Sequence, residues 1–106
     1  MSCQRCSIPP DPHLSALAQI AADRFGMTVE ELRVRDRHPD TVRVRDTVVY
    51  VLWTMTDSSY EVIGATVGRY HSSISDALRR MHLLLEWDRH LQRDVAAITE
   101  RIGVRP

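Results

Sequence analysis

The sequence contains no lysine, and all 14 of its basic residues are arginine. The P-loop of nucleotide-hydrolysing motors, G-x-x-x-x-G-K-[ST], uses a lysine to reach the phosphates, so this motif is excluded. Bias in a GC-rich genome is the simplest explanation of an all-arginine chain, but arginine also presents a planar fork that suits phosphates and guanine edges. No apolar run approaches the roughly 18 residues that a membrane span needs, so we expect no membrane contact.

Cysteine, glycine and proline are also scarce, at two, four and five residues. So few glycines and prolines exclude collagen-like and low-complexity chains. Cys3 and Cys6 form a C-x-x-C that follows no strand, and His13 is the only near candidate for a third zinc ligand. We therefore expect no redox site, no metal and no cofactor, and we interpret residues 1–10 as a flexible tail. This segment lacks the apolar core of a signal peptide, so we expect a cytoplasmic protein.

The charge is zero in total but uneven along the chain, whose 106 residues suit a single domain over 11–106. Residues 33–45 carry a net charge of +3, residues 46–61 carry −3 and residues 62–80 carry +2. Nucleic acid responds to local patches rather than to total charge. The two basic segments are therefore candidates for DNA contact, and the acidic segment between them suits a protein partner.

Apolar residues recur at three- and four-residue spacing, which predicts an all-α domain of five or six helices. The predicted helices cover about 12–25, 29–34, 41–56 and 59–66, followed by a long periodic stretch from Ser72 to Ile102 that breaks near Trp87 and Asp88. The predicted caps are Asp11, Thr28 with Glu31, Ser58 with Glu61, Ser72 and Asp88. Residues 34–41 are interpreted as an arginine-rich loop with Pro39 as a breaker. The predicted core contains Ile20, Phe25, Leu32, Val48, Leu52, Ile63, Val67, Ile74 and Leu78.

Residues 60–80 have the spacing of a helix-turn-helix, within a predicted motif over about 59–86. Gly68 is the turn glycine, and Gly64 is the small residue where the two helices cross closely. The outward residues at the start of the second helix are then short or planar hydrogen-bonding groups of the kind that read base edges: Tyr70, His71, Ser72, Ser73 and Ser75. A plain helical hairpin with a polar end is the alternative that spacing alone leaves open.

The same stretch carries a family resemblance. Residues 63–81, IGATVGRYHSSISDALRRM, are similar to the signature I-G-x-x-F-G-G-R-D-H-S-T-V-x-x-A-x-R-K-I of the C-terminal DNA-binding domain of the bacterial replication initiator DnaA. Upstream, FGMTVEELR and VRVRDTVVYVLWTMTDSSYEVIG keep the spacing of that family, so the resemblance covers about Ala16 to Met81, and we expect it to extend into the sixth helix. It implies binding of double-stranded DNA.

The resemblance also implies roles for individual residues. It places Arg37 in the minor groove and Arg45, at the start of the third helix, on phosphate. The major-groove readers of the signature correspond to Tyr70, His71, Ser72 and Ser73, with Arg69 just before them and Arg80 late in the recognition helix. Arg43 joins these as a further phosphate contact. We expect a log–log salt slope of roughly −4 to −5 if about 4–6 phosphates are neutralised.

The chain departs from the signature at three places. Gly68 stands alone where the family has a glycine pair, Tyr70 replaces the aspartate, and the loop before the third helix contains two acids and a proline. These changes predict a preferred site other than the nine-base box of the initiator. We therefore favour a phage-derived or prophage-type transcriptional regulator, such as an activator component of a gene transfer agent, located at the nucleoid. RNA polymerase or another regulator is the candidate protein partner, and a homodimer the candidate oligomeric state.

Two alternatives accompany this interpretation. The chain could be a protein–protein adapter of the replication or transcription machinery, or a protein that binds a replication origin. An enzyme is not expected, because His71, Ser72 and Asp76 are too close in one helix start to form a triad. Trp53 and Trp87 are most simply core or boundary residues, although aromatics also anchor interfaces. The remaining histidines lack H-x-x-x-H spacing and are interpreted as surface or boundary residues: His13, His38, His82 and His90.

Overall fold

The computed structural model describes residues 11–34 and 38–103, and this part of the chain folds into six α-helices without a strand. The helices are α1 (Pro12–Asp23), α2 (Val29–Arg33), α3 (Pro39–Met55), α4 (Tyr60–Val67), α5 (His71–Leu84) and α6 (Arg89–Gly103). The predicted all-α fold is confirmed. Cys3, Cys6 and Arg37 lie outside the described residues, and so does the segment 1–10 that was interpreted as a tail. Among the described helices, none is both long and apolar enough to cross a membrane.

Side-chain caps begin several of these helices. The Asp11 carboxylate accepts a hydrogen bond from the backbone N–H of His13 at 2.8 Å, and Thr28 and Glu31 form the predicted capping box. The cap of α4 is Ser59, so the prediction of Ser58 was wrong by one residue. The reason is local, because the hydroxyl of Ser58 accepts from the Thr56 hydroxyl at 3.0 Å.

The helix α3 begins two residues earlier than predicted. His38 is its N-cap residue, and the Nδ1 of His38 accepts from the backbone N–H of Asp40 at 3.2 Å. Pro39 occupies the first helical position, where its missing N–H would have no helical partner and its fixed φ already suits the helix. Pro39 therefore starts α3, and its interpretation as a loop breaker was wrong.

The core surrounds α3, which packs against α1, α4, α5 and α6. Two residues of the predicted core, Ile20 and Phe25, are half-buried and pack against it. The other seven are buried, as predicted: Leu32, Val48, Leu52, Ile63, Val67, Ile74 and Leu78. At about 25 cal/mol per Å² of apolar area, burial of these aliphatic faces supplies the main driving force of the fold.

The long C-terminal periodic stretch breaks where predicted, between α5 and α6. The Asp88 carboxylate accepts from the backbone N–H of Leu91 at 3.0 Å, which caps the start of α6. Trp87 lies in this turn and is 80% exposed, so its interpretation as a core or boundary residue was wrong. The α5 periodicity does not extend to position 87, because the helix already ends at Leu84. Trp53 is a boundary residue whose ring lies 5.9 Å from that of His82.

Candidate nucleic-acid interface

The helices α4 and α5 and the turn between them have helix-turn-helix geometry. Gly68 has φ 72° and ψ 36°, a left-handed conformation that costs glycine little. A Cβ added at Gly64 would lie 2.3 Å from the carbonyl oxygen of Arg69, so only glycine admits the turn this close to α4. A hydrogen bond also holds the turn against α4, since the backbone N–H of Arg69 donates to the carbonyl oxygen of Gly64 at 2.8 Å. Both glycine predictions are confirmed.

The helix α5 has one buried face and one polar end. Ile74, Ala77, Leu78 and Met81 are buried against the core. At the N-terminal end Tyr70 is 49% exposed, His71 and Ser72 are exposed, and Ser73 and Ser75 are half-buried. The same helix therefore anchors itself by its apolar side and presents hydrogen-bonding groups to solvent at its start, which is the arrangement that major-groove reading requires.

The start of α5 differs from the prediction by two residues. Tyr70 is the N-cap residue and His71 is the first helical residue, so Ser72 lies within the first turn and does not cap the helix. The change follows from the turn, because Gly68 and Arg69 complete it and leave Tyr70 in extended backbone with φ −72° and ψ 157°.

Arg45 is not at the start of α3 but in its second turn, because the helix begins at Pro39. Its side chain is buried, with the whole residue 6% exposed. The Arg45 Nε donates to the carbonyl oxygen of Leu32 at 2.8 Å, and its Nη2 donates to that of Val34 at 3.3 Å. In this structure Arg45 bonds the end of α2. The phosphate contact of Arg45 stays a prediction beside these two bonds.

Arg69, in the turn, reaches the same end of α2. Its Nη2 donates to the carbonyl oxygen of Val34 at 3.0 Å, and its Nη1 donates to that of Gly68 at 2.9 Å. Arg45 and Arg69 thus donate to the same acceptor, the carbonyl oxygen of Val34. Arg69 lies two residues before the recognition helix begins at His71. Arg37, which the resemblance places in the minor groove, lies outside the described residues.

Arg80 forms a bidentate ion pair with Asp46 of α3. The Nε–Oδ2 distance is 2.7 Å and the Nη2–Oδ1 distance is 3.0 Å. The Asp46 side chain is 7% exposed while that of Arg80 is 51% exposed, so the guanidinium covers a buried carboxylate and still faces solvent. The hydrogen bond to Asp46 raises the pKa of Arg80 above its ordinary value.

Arg43 pairs with Asp88, in the turn between α5 and α6. The Arg43 side chain is 46% exposed. The backbone N–H of Leu91 lowers the pKa of Asp88 below its ordinary value, and the charge of Arg43 acts in the same direction. Among the arginines predicted to contact DNA, Arg43 and Arg80 are thus about half exposed, and each holds a carboxylate from a neighbouring element.

Sequence reasoning missed the partners of these arginines. Asp46 and Asp88 entered only as local negative charge and as a helix cap, and Arg33 only as part of a charge count. A signal existed for Asp46, which lies among the core-facing residues Val44 and Val48 of α3, since a buried carboxylate needs a paired cation. No comparable signal identifies the arginine that pairs with it.

The histidines of the described segments are all exposed, as predicted. Within those segments no group of three or more His, Cys, Asp or Glu residues lies close enough to hold a metal ion. The ring of His82 contacts Tyr50 edge-on at 5.8 Å and Trp53 at 5.9 Å, and its Nδ1 lies 2.9 Å from the carbonyl oxygen of Leu78. These contacts give His82 a packing role at the far end of α5 from Tyr70.

Comparison with known proteins connects this geometry to a family. The profile described as bacterial dnaA protein helix-turn-helix matches residues 14–81. The chromosomal replication initiator protein DnaA of Chloroflexus aggregans is 35% identical over 88 residues, which cover 82% of this chain and 18% of that protein. The same-named proteins of Chloroflexus aurantiacus and Mycoplasma pneumoniae are 34% and 30% identical, with 82% and 83% of this chain covered and 18% and 20% of theirs.

The chain therefore spans about a fifth of the length of the curated relatives that it matches. The matched region begins in α1 and ends in α5, so it contains α4, the turn and most of α5, with Gly64, Gly68 and the exposed start of α5. Motif, turn geometry and profile agree over the same residues, and the chain belongs to the family of the bacterial DnaA helix-turn-helix.

Proposed function

We propose that this protein binds double-stranded DNA in a sequence-specific manner, with the start of α5 in the major groove. The observation that carries the proposal is the exposure of His71 and Ser72 in the first turn of α5, in a helix that Ile74 anchors by its burial in the core. A helix held in this way enters the major groove, which is about 12 Å wide, without disturbing its own packing. Family membership supports the same role for this end of the molecule.

Phosphate contacts supply most of the affinity and do not distinguish sequences directly. Arg43 and Arg80 are the candidates for this role, because the side chain of each stays about half exposed while it pairs with a carboxylate. Arg79 adds an exposed charge on α5, 3.8 Å from Asp76. Arg37 stays the candidate for the minor groove.

The biological role within this proposal is regulation of transcription, of the phage-derived or prophage type. It rests on the departures from the DnaA family pattern at Gly68, at Tyr70 and within residues 34–41, since a changed reading surface selects sites other than the initiator's box. RNA polymerase or another regulator would be the protein partner. A single module of this size reads few bases, so two copies on adjacent half-sites would give useful specificity. Such a protein acts at the nucleoid.

The test begins with selection of bound duplexes from a random pool. An enriched motif is expected, and wild type and His71→Ala are then titrated with the preferred and a scrambled duplex. His71→Ala should lose about 1–3 kcal/mol on the preferred duplex and much less on the scrambled one. His82→Ala is the matched control, because it removes the same side chain from the same helix about 16 Å along its axis.

If His71→Ala weakens both duplexes equally, α5 does not read bases. Enrichment of the initiator's own nine-base box would instead support a replication-origin role.

A protein–protein adapter is the second candidate, and one observation favours it. Trp87, at 80% exposed, and Leu83, at 59%, lie near each other in sequence at the C-terminal end of α5, far from the proposed DNA-reading end. Exposed large apolar residues of this kind are typical of binding surfaces for other proteins. Failure of the selection to enrich any motif would favour this role over DNA binding.

A further inference from the structure

The C-terminal end of α2 packs directly on the turn of the helix-turn-helix. A Cβ added at Gly68 would lie 3.3 Å from Cα, Cβ and Cγ of Arg33, so the backbone of the turn and the stem of Arg33 are in close contact. The Arg33 Nε donates to the carbonyl oxygen of Thr66 at 2.9 Å. Thr66 is fully buried near the end of α4. The short helix α2 is thereby bonded to the first helix of the motif.

Bonds in the opposite direction come from the turn itself. Arg69 donates to the carbonyl oxygens of Arg33 at 3.5 Å and of Val34 at 3.0 Å. Arg33 therefore bonds the last turn of α4, and Arg69, in the turn that follows α4, bonds the end of α2. The turn cannot move away from α2 without breaking the Arg69 bonds, and the end of α4 cannot do so without breaking the Arg33 bond.

A third arginine completes the arrangement from α3. Arg45 donates to Leu32 and Val34, so the Val34 oxygen accepts from Arg45 and from Arg69. The last carbonyls of a helix have no partner within it and lie at the negative end of its dipole. Guanidinium groups suit them, because the fork donates to two oxygens at once and its charge is favourable there.

We infer that Arg33, Arg45 and Arg69 form a clamp that fixes the helix-turn-helix turn on α2, and that Arg45 and Arg69 are positioning residues for base reading. This inference rests on the proposed DNA-binding function. Base discrimination requires hydrogen bonds of about 2.7–3.2 Å at fixed angles. A small displacement of the turn therefore moves His71 out of hydrogen-bond distance of the base edge that it reads. Nonspecific contact with phosphate tolerates such a displacement. The clamp therefore controls the preference for one sequence more than the attraction to DNA.

The test exchanges arginine for lysine, which keeps the charge and removes the fork. Lysine can replace arginine at a phosphate contact, because it supplies the same point charge. It cannot replace a guanidinium whose planar fork donates to two backbone carbonyls at once. Arg69→Lys should therefore bind the preferred duplex about tenfold more weakly, the loss expected from one misplaced base contact, and the scrambled duplex within about twofold of wild type. The salt slope should not change.

Arg79→Lys is the matched control, because Arg79 is 72% exposed on α5 and bonds no backbone carbonyl of α2. It should leave the ratio of the two affinities unchanged. Arg45→Lys is the second variant and should lower that ratio in the same direction as Arg69→Lys. If both variants keep the wild-type ratio, the positioning role is overturned.

Amide hydrogen exchange in the free protein separates failure of the clamp from failure of DNA binding. In Arg69→Lys the Arg69 amide, bonded to Gly64, should exchange about tenfold faster than in wild type while amides in α6 keep their rates. If wild type enriches no DNA motif, the proposed function fails and this measurement alone judges the clamp. Unchanged exchange at Arg69 would then overturn it.

Discussion

The start of α5 and the arginines around it behave differently, although the same family resemblance assigns both to DNA contact. His71 and Ser72 are exposed where the predicted recognition helix begins. Arg45 and Arg69 bond backbone carbonyls of α2, while Arg43 and Arg80 pair with carboxylates. The helix register determines the positions of short polar side chains, because these side chains extend little beyond the backbone. Long arginine side chains reach whichever acceptors the fold places nearby.

The largest expected effect is the difference in stability between a substitution on the buried face of α5 and one on its exposed face. Ile74→Ala should lower the free energy of unfolding by about 2–5 kcal/mol, since it removes a buried side chain and leaves a cavity. Ser72→Ala, two residues earlier on the exposed side, should change it by less than about 0.5 kcal/mol. Urea unfolding of both variants measures the contrast. A cost below about 1 kcal/mol for Ile74→Ala would contradict the packing of α5 described above.

Adjacent arginines on α5 offer the next contrast. Arg80→Ala leaves the Asp46 carboxylate buried without its bidentate partner, and we expect a cost of about 1–2 kcal/mol, discounted because Arg80 is half exposed. Arg79→Ala removes a charge that is 72% exposed and should cost less than about 0.5 kcal/mol. Thermal or urea unfolding compares the two. Equal effects would mean that the Arg80–Asp46 pair contributes no more than a surface ion pair.

A smaller effect concerns competition between a carboxylate and phosphate. Asp88→Asn removes the charge that pairs with Arg43 and keeps a residue that can cap α6. The variant should bind scrambled DNA more tightly, with a salt slope more negative by up to about one unit. Asp57→Asn is the control, since it makes the same change in net charge at an exposed position in the loop after α3. Equal gains in the two variants would assign the effect to total charge and not to Arg43.

The smallest expected effect is a dependence of stability on pH. The pKa of Asp88 is lowered in the folded protein, chiefly by the Leu91 N–H, so ionised Asp88 favours the folded state. That contribution is complete above the pKa of the unfolded chain and is lost as pH falls through the lower folded pKa, below about pH 4. The melting temperature of wild type should therefore fall more steeply in this range than that of Asp88→Asn. Parallel profiles would contradict the assignment to Asp88.

Salt dependence tests the comparison as a whole. Five phosphate-binding arginines predict a slope of roughly −4 to −5, whereas about three, with Arg45 and Arg69 used inside the protein, predict roughly −2 to −3. Measurement of the affinity for a scrambled duplex between low and physiological salt distinguishes these values. A slope near −5 would indicate that Arg45 and Arg69 also bind phosphate.

The sequence by itself determined the elements, because their signals are local. Apolar spacing along α5 and α6, the capping box of Thr28 and Glu31, and the glycines at 64 and 68 each depend on residues within about one helical turn of one another. The errors were also local: the cap of α4 moved by one residue when Thr56 engaged Ser58, and Pro39 proved to start a helix that tolerates proline at its first position.

Only the tertiary structure decided what the arginines bind. Arg69 and Val34 are 35 residues apart in sequence, and Arg80 and Asp46 are 34 apart. Neither pairing produces a periodic pattern in the sequence, because a guanidinium can donate to carbonyl, carboxylate or phosphate oxygens. The choice among them follows from which oxygen the packed helices leave within reach and shielded from water, and that is a property of the fold as a whole.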